Sequence, residues 1–153
     1  MPDIELLHHS QRDDILNHYR SLDADSRFYR FGYMQQDEHL IRFIDGLDLE
    51  KDLHFAYRDD QGNVVALAQL SRVNDDIYEF GISVHRDHKR KGLASMLWKA
   101  VTQKAQELNV KEIYVQHVGS NDAMQRFCQS NHIPMHWENG DKIGYFTVQP
   151  LII

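Results

Sequence analysis

Between a strand-like run and a long amphipathic helix lies the stretch that decides the fold, His85-Arg86-Asp87-His88-Lys89-Arg90-Lys91-Gly92-Leu93-Ala94-Ser95. Four of its first seven residues are Lys or Arg, although the chain of 153 residues has a formal net charge of −6. A helix that begins here directs unpaired backbone N–H groups and the positive end of its dipole toward the loop. The pattern therefore predicts a binding site for a multiply charged anion at the start of the helix.

The segments on either side predict a mixed sheet with helices on its faces, in the α/β or α+β class. Ile77–Val84 and Glu112–Val118 have the composition of strands, and a helix from Gly92 to about Leu108 lies between them. Such a unit implies a right-handed crossover and parallel strands. The whole predicted order is β-α-α-β-β-β-α-β-α-β-β. The other predicted elements are strand Ile4–Leu7, a helix from an N-cap at Ser10 to about Ser21, a helix near Glu38–Ile44, strands Leu53–Arg58 and Val64–Arg72, helix Asn121–Ser130, and the hairpin Met135–Glu138 with Ile143–Val148.

The composition indicates one globular domain over residues 1–153, with 42% apolar and 26% charged residues. The negative net charge argues against general nucleic-acid binding, which needs a broad basic face, and suits a cationic partner. Neither a membrane-spanning run nor a signal peptide is evident, and Cys128 is the single cysteine. We therefore expect a cytoplasmic protein without an internal disulfide. The His and Cys spacing predicts no metal site.

The strand before the basic loop has two contrasting faces because its side chains alternate. One face is apolar and is expected to pack in the core; it carries Tyr78, Phe80, Ile82 and Val84. The other face carries Ile77, Glu79, Gly81 and Ser83. A carboxylate beside two small residues suits the floor of a ligand site. The alternative is that Glu79 simply faces solvent on a half-exposed sheet.

Two motifs resemble those of the GNAT superfamily of acyl-CoA-dependent N-acyltransferases. Lys89-Arg90-Lys91-Gly92-Leu93-Ala94 resembles its pyrophosphate-binding motif Gln/Arg-x-x-Gly-x-Gly/Ala, with Lys89 replacing the usual Gln or Arg. Residues 121–133 resemble its segment Asn-x-x-Ala-x-x-Leu-Tyr-x-x-x-Gly-Phe, with Cys128 at the position of a Tyr that protonates the departing thiolate. Residues 79–94 and 26–31 look most similar to the acetyltransferase domains of bacterial protein-lysine acetylases.

The resemblance implies a GNAT-like fold, acetyl-CoA as cofactor and Glu79 as general base. It implies that Cys128 is either a general acid or, as the alternative, a buried inert residue. The implied acceptor-binding residues are Tyr29, Tyr33, Glu79 and His117, with Arg30 also near the pocket and His117 an alternative base. The implied cofactor-binding residues are Ile82, Ser83, Val84, Lys89, Arg90, Lys91, Gly92, Leu93, Ala94, Ser95 and Asn121, with a backbone N–H near residues 82–84 available to an oxyanion.

The predicted activity is direct acetyl transfer to a primary amine, without a covalent enzyme intermediate. A small cationic acceptor, such as a polyamine or diamine, fits the negative net charge of the chain. A protein-lysine acetyltransferase is the alternative that follows from the sequence resemblance. A third hypothesis is a non-catalytic acyl-CoA sensor, which Cys128 motivates. A homodimer through the last hairpin or the tail at residues 151–153 is a further expectation.

Overall fold

The computed structural model describes residues 3–32 and 36–151. Within these ranges the strands are β1 (Glu5–Leu6), β2 (Asp52–Arg58), β3 (Val64–Arg72), β4 (Ile77–Val84), β5 (Glu112–Val118), β6 (Met135–Glu138) and β7 (Asp141–Thr147). The helices are α1 (Arg12–Ser21), α2 (Ala24–Phe31), α3 (Asp37–Asp45), α4 (Leu93–Glu107) and α5 (Asp122–Ser130).

The strands form one mixed sheet in the order β1-β2-β3-β4-β5-β7-β6. Strands β1 to β4 pair antiparallel, β4 and β5 pair parallel around α4, and β7 pairs antiparallel with both β5 and β6. The predicted fold class and the parallel crossover are confirmed. In the last hairpin, Asn139 and Gly140 both have positive φ, at 51° and 86°. This is the turn that a two-residue Asn-Gly connection favours.

Helices on both faces of the sheet bury apolar side chains. On one face, Trp98 of α4 packs edge-on against Phe80 of β4, with ring centroids 5.0 Å apart, and Phe127 of α5 stacks on Phe80. On the other face, Ile15 and Tyr19 of α1 are fully buried in a second cluster with α3. The even-numbered face of β4 packs in the first cluster, as its alternation predicts.

Two local features differ from the sequence-based expectation. The structure adds α2, which is not among the elements predicted from the sequence. Asp23 begins this helix, since its Oδ1 accepts a hydrogen bond of 2.8 Å from the backbone N–H of Ser26. Our assignment of Ser10 as an N-cap was wrong, because residues 9–11 form a 3₁₀ turn and α1 begins after Gln11.

The described residues contain no helix that is long and apolar enough to cross a membrane. The tail that we considered for a dimer interface includes Ile152 and Ile153, which lie outside the described residues.

Candidate active site

A split between the two central strands creates the candidate site. Parallel pairing of β4 with β5 covers only Ile77–Phe80 and Glu112–Val115. Beyond Phe80, β4 stays paired with β3 up to Val84, and β5 stays paired with β7 up to Val118. The two neighbours therefore separate, and a cleft opens between residues 81–84 and residues 116–118.

Two backbone donors of β4 face this cleft. The N–H of His85 donates a 2.7 Å hydrogen bond to the carbonyl of Val65, on the β3 side. The register of β3 with β4 is unbroken, and successive residues of a strand direct their backbone groups to opposite edges. The N–H groups of Ile82 and Val84 consequently point toward β5, which has already diverged. An extended ligand with amide groups could pair with this edge as a strand would.

The loop after β4 is built to bind an anion. Arg90 and Gly92 have positive φ values of 65° and 76°, which turn successive backbone N–H groups toward one side. Gly92 is also the residue before α4, so no side chain caps the N–H groups of the first turn. Lys89 adds a cation, and its Nζ contacts the hydroxyl of Ser26 at 3.2 Å.

A cavity of about 450 Å³ lies between this loop, the free edge of β4 and helix α5. All of the residues predicted to bind the cofactor line it, except Lys91. Sequence reasoning missed Arg126, which brings a further cation to the cavity from α5. Residues 123, 126, 127 and 130 are three or four positions apart and therefore share one side of α5. This spacing is the sequence signal that would have indicated Arg126.

A second cavity, of about 310 Å³, lies at the split itself, where residues of both β4 and β5 line it. Glu79, His117 and Asp141 line it from the sheet. Tyr29 and Arg30 of α2 line both cavities, which therefore adjoin each other. The predicted acceptor residues Tyr29, Glu79 and His117 are thus brought together, whereas Tyr33 lies outside the described residues.

Carboxylates give one end of the second cavity a negative potential. Glu79 is exposed and lies directly between Ser71 of β3 and Tyr114 of β5. Burial raises the pKa of Tyr114, and the charges of Glu79, Glu138 and Asp141 raise it further. A cationic group would be attracted to this end of the cavity.

His117 presents a second candidate base. Its side chain is buried, and Nδ1 lies 2.8 Å from the carbonyl oxygen of Val118. A carbonyl only accepts hydrogen bonds, so Nδ1 is the nitrogen that donates here, and in the neutral ring Nε2 is the nitrogen with a free lone pair. In the part of the chain that the structure describes, nothing hydrogen-bonds to the buried Nε2 atom.

Cys128 does not lie at the cleft. Its side chain is buried in the cluster that contains Phe127 and Trp98, and it lines neither cavity. Burial raises the pKa of its thiol to about 11. The structure thus places the side chain of Cys128 in the core, because α5 turns it toward the sheet.

The family model described as the acetyltransferase (GNAT) family matches residues 16–133, which is more than half of the chain. The chain belongs to the GNAT acetyltransferase family. A search of curated protein sequences gave no significant match. The predicted family and the predicted class of enzyme, an acetyltransferase, are therefore confirmed.

Solved structures of GNAT proteins share the fold at low sequence identity. The GNAT domain of S. lividans PAT superposes with a TM-score of 0.80 at 17% identity, covering 94% of this chain and 89% of that one. Spermidine N-acetyltransferase from Vibrio cholerae, in complex with CoA and spermine, has a TM-score of 0.73 at 19% identity, with 95% of each chain covered. An N-acetyltransferase from Staphylococcus aureus Mu50 has a TM-score of 0.74 at 14% identity, covering 97% of this chain and 99% of that one.

Proposed function

We propose that this GNAT protein transfers the acetyl group of acetyl-CoA to the primary amine of a small acceptor, with Glu79 as general base. The observation that carries the proposal is the meeting of two unlike cavities at the split between β4 and β5. One cavity is bordered by the basic loop, and the other contains carboxylates. Such an arrangement suits an anionic donor on one side and a cationic acceptor on the other.

The residues of the first cavity fit coenzyme A. Enzymes of this family use acetyl-CoA. The loop of Lys89, Arg90 and Gly92 offers cations and backbone N–H groups to a pyrophosphate. The free edge of β4 offers the N–H groups of Ile82 and Val84 to amide or thioester oxygens. When bound, acetyl-CoA would supply a thioester, whose acyl carbon can accept an amine in exchange for the CoA thiolate.

A base is required because a primary amine, with a pKa near ~10.4, is almost fully protonated at neutral pH. Glu79 can attract the ammonium group and accept its proton, directly or through water, and such assistance is typically worth ~10²–10⁴ in rate. His117 is the alternative, since it lines the same cavity and its Nε2 atom has no hydrogen-bond partner among the described residues. Glu79 is preferred because it is exposed at the cavity, whereas the Nε2 atom of His117 is buried.

The acceptor class rests on the carboxylates around Tyr114. They support a cationic amine of small size, such as a polyamine or diamine, in a cavity of about 310 Å³. The spermidine N-acetyltransferase of V. cholerae gives this class a precedent on the same fold. A protein lysine is the alternative acceptor, and a homodimer remains a prediction.

The test is an acceptor screen that follows release of free CoA, run with wild type and with Glu79→Gln. We expect the variant to lose ~100-fold or more in turnover while its affinity for acetyl-CoA is unchanged. The matched control is Glu138→Gln, because Glu138 also acts electrostatically on Tyr114 but does not line either cavity.

Equal turnover by wild type and Glu79→Gln would exclude Glu79 as the base. Turnover only with folded protein substrates would favour the lysine acetyltransferase. If neither protein acetylates any amine although both bind acetyl-CoA, the domain is a non-catalytic sensor.

A further inference from the structure

Arg30 of α2 lies flat on the sheet between the two cavities. It is able to approach β4 because residue 81 is glycine: a Cβ atom there would lie 2.8 Å from Cζ of Arg30. Arg30 lines both cavities, so its guanidinium borders the space where acceptor and donor meet.

The contacts of this guanidinium are with neutral groups. Nη2 donates to Oε1 of Gln69 and lies 3.4 Å from the hydroxyl of Tyr19. The guanidinium also lies over the ring of Phe31, with Cζ 4.8 Å from its centroid. Gln69 is itself held in place, because its Nε2 donates to the hydroxyl of Ser71 at 2.6 Å. These contacts orient Arg30 without neutralising its charge.

Arg30 differs in this respect from three other arginines of the chain, although within the described residues it shares the lack of an ion pair with some, such as Arg12, whose guanidinium donates to carbonyls. Arg27, Arg58 and Arg72 pair with carboxylates, whereas no ion pair within residues 3–32 and 36–151 includes Arg30. Its charge helps to lower the pKa values of His18 and His54, after the larger effect of burial. A partly buried cation without an anion is costly, so an anionic partner is expected to come from a ligand.

A donor atom of Arg30 without a hydrogen-bond partner also indicates an anionic ligand. Nε of Arg30 is buried, and it has no hydrogen-bond partner among the residues that the structure describes. A carboxylate can accept from both Nε and a terminal nitrogen of arginine, in the bidentate geometry that this side chain favours. His117 lines the same cavity, and its buried Nε2 atom likewise has no hydrogen-bond partner among the described residues.

We propose that Arg30 binds a carboxylate of the acceptor, which makes that acceptor an amine–carboxylate compound such as an amino acid. The inference rests on the proposed acetyl transfer to a small cationic amine, and it favours amines that also carry a carboxylate over polyamines and diamines. The amine lies toward Glu79 and Asp141, where a cation is stabilised, and the carboxylate lies toward Arg30. A polyamine would satisfy only the first of these two regions.

The experiment compares acceptors that differ only in the carboxylate: lysine with cadaverine, ornithine with putrescine, and each amino acid with its amide. We expect kcat/KM to be at least about 10-fold higher for the amino acid of the preferred pair, as for loss of a charged hydrogen-bond partner. Titration calorimetry with the same pairs on the complex with CoA, which has no acetyl group to transfer, measures recognition independently of turnover.

Two variants connect the preference to Arg30. In Arg30→Gln, the preference for the carboxylate should fall about 10-fold or more, through KM, while affinity for acetyl-CoA stays constant. Gly81→Ala keeps the charge but displaces the guanidinium from β4, and it should reduce the preference in the same direction. If circular dichroism shows that Arg30→Gln does not fold, Gly81→Ala still tests whether the position of Arg30 determines the preference for the carboxylate.

Several results would overturn the inference. Wild type could prefer the decarboxylated amines in both turnover and binding, or the variants could keep the wild-type preference. A loss of acetyl-CoA affinity without a change of preference would assign the anion to the donor instead. Failure of the proposed function is distinguishable from these, because no amine would then be acetylated, whereas calorimetry would still report whether the carboxylate is recognised.

Discussion

Cys128 illustrates how position along a helix decides the role of a side chain. It follows Phe127 in α5, and both belong to the cluster around Trp98, but Phe127 also lines the first cavity whereas Cys128 lines neither. A buried thiol with its pKa raised to about 11 behaves as a small apolar group. We therefore expect the proton for the leaving thiolate to come from another group or from bulk water.

We predict that Cys128→Ala changes turnover by less than about 2-fold. The substitution removes one buried sulfur atom, so the free energy of unfolding should fall by roughly 1–2 kcal/mol. Steady-state kinetics and urea denaturation measure the two effects separately. A 10-fold or larger loss of turnover in a protein that remains folded would return Cys128 to the catalytic machinery.

At this scale the sequence predicted residue positions better than residue partners. Alternation along β4 was enough to place Glu79 on the face opposite Phe80, because strand geometry is local. The lone charge of Arg30 could not be predicted, since an ion pair depends on which segments meet in the folded chain. The same holds for Arg126, whose side of α5 becomes meaningful only once the cleft is known.

Among the elements, α2 shows why short helices escape sequence patterns. Its eight residues include Phe28, Tyr29 and Phe31, which have modest helix propensity, and an isolated helix of this length is unstable in water. The Asp23 cap and packing on the sheet compensate. The long helix α4 was predictable, because its apolar positions recur every three or four residues over four turns.

The loop between β4 and α4 supports a prediction that separates two neighbouring cations. Arg90 lines the first cavity and Lys91 does not. Arg90→Ala should weaken binding of acetyl-CoA about 10-fold, as for loss of a charged hydrogen bond. Lys91→Ala should change the affinity by less than about 3-fold, as is usual for an exposed charge. Titration calorimetry at low and moderate salt measures both; equal effects would mean that the loop acts only through its total charge.

For the molecule as a whole, two buried histidines link stability to pH. Burial lowers the pKa values of both His18 and His54 from 6.5 to about 4. Between these values the unfolded chain binds more protons than the folded chain, so stability increases with pH there. The stability that each neutral histidine contributes is complete above pH 6.5 and decreases as the pH falls toward 4.

We predict that acidification from pH 7.5 to pH 5 costs roughly 2 kcal/mol per buried histidine in the free energy of unfolding. In His18→Asn the amide can still donate to the carbonyl of Val64, which His18 contacts through Nδ1, and the pH dependence should fall by about half. The control is His136→Asn, at an exposed position. Urea denaturation at several pH values measures how the free energy of unfolding changes with pH. An unchanged pH dependence in His18→Asn would contradict the assignment of this effect to His18.

The split sheet also bears on how the protein avoids self-association. Unpaired strand edges usually lie at the rim of a sheet, where they can recruit strands of other molecules. Here the unpaired edge of β4 lies in the middle of the sheet, and the contact between the Tyr29 hydroxyl and the Ser120 carbonyl, 3.3 Å long, bridges the cleft beside it. We therefore expect the free N–H groups of β4 to be accessible to a narrow, extended ligand. A polypeptide strand, which carries side chains on both faces, would not fit beside them.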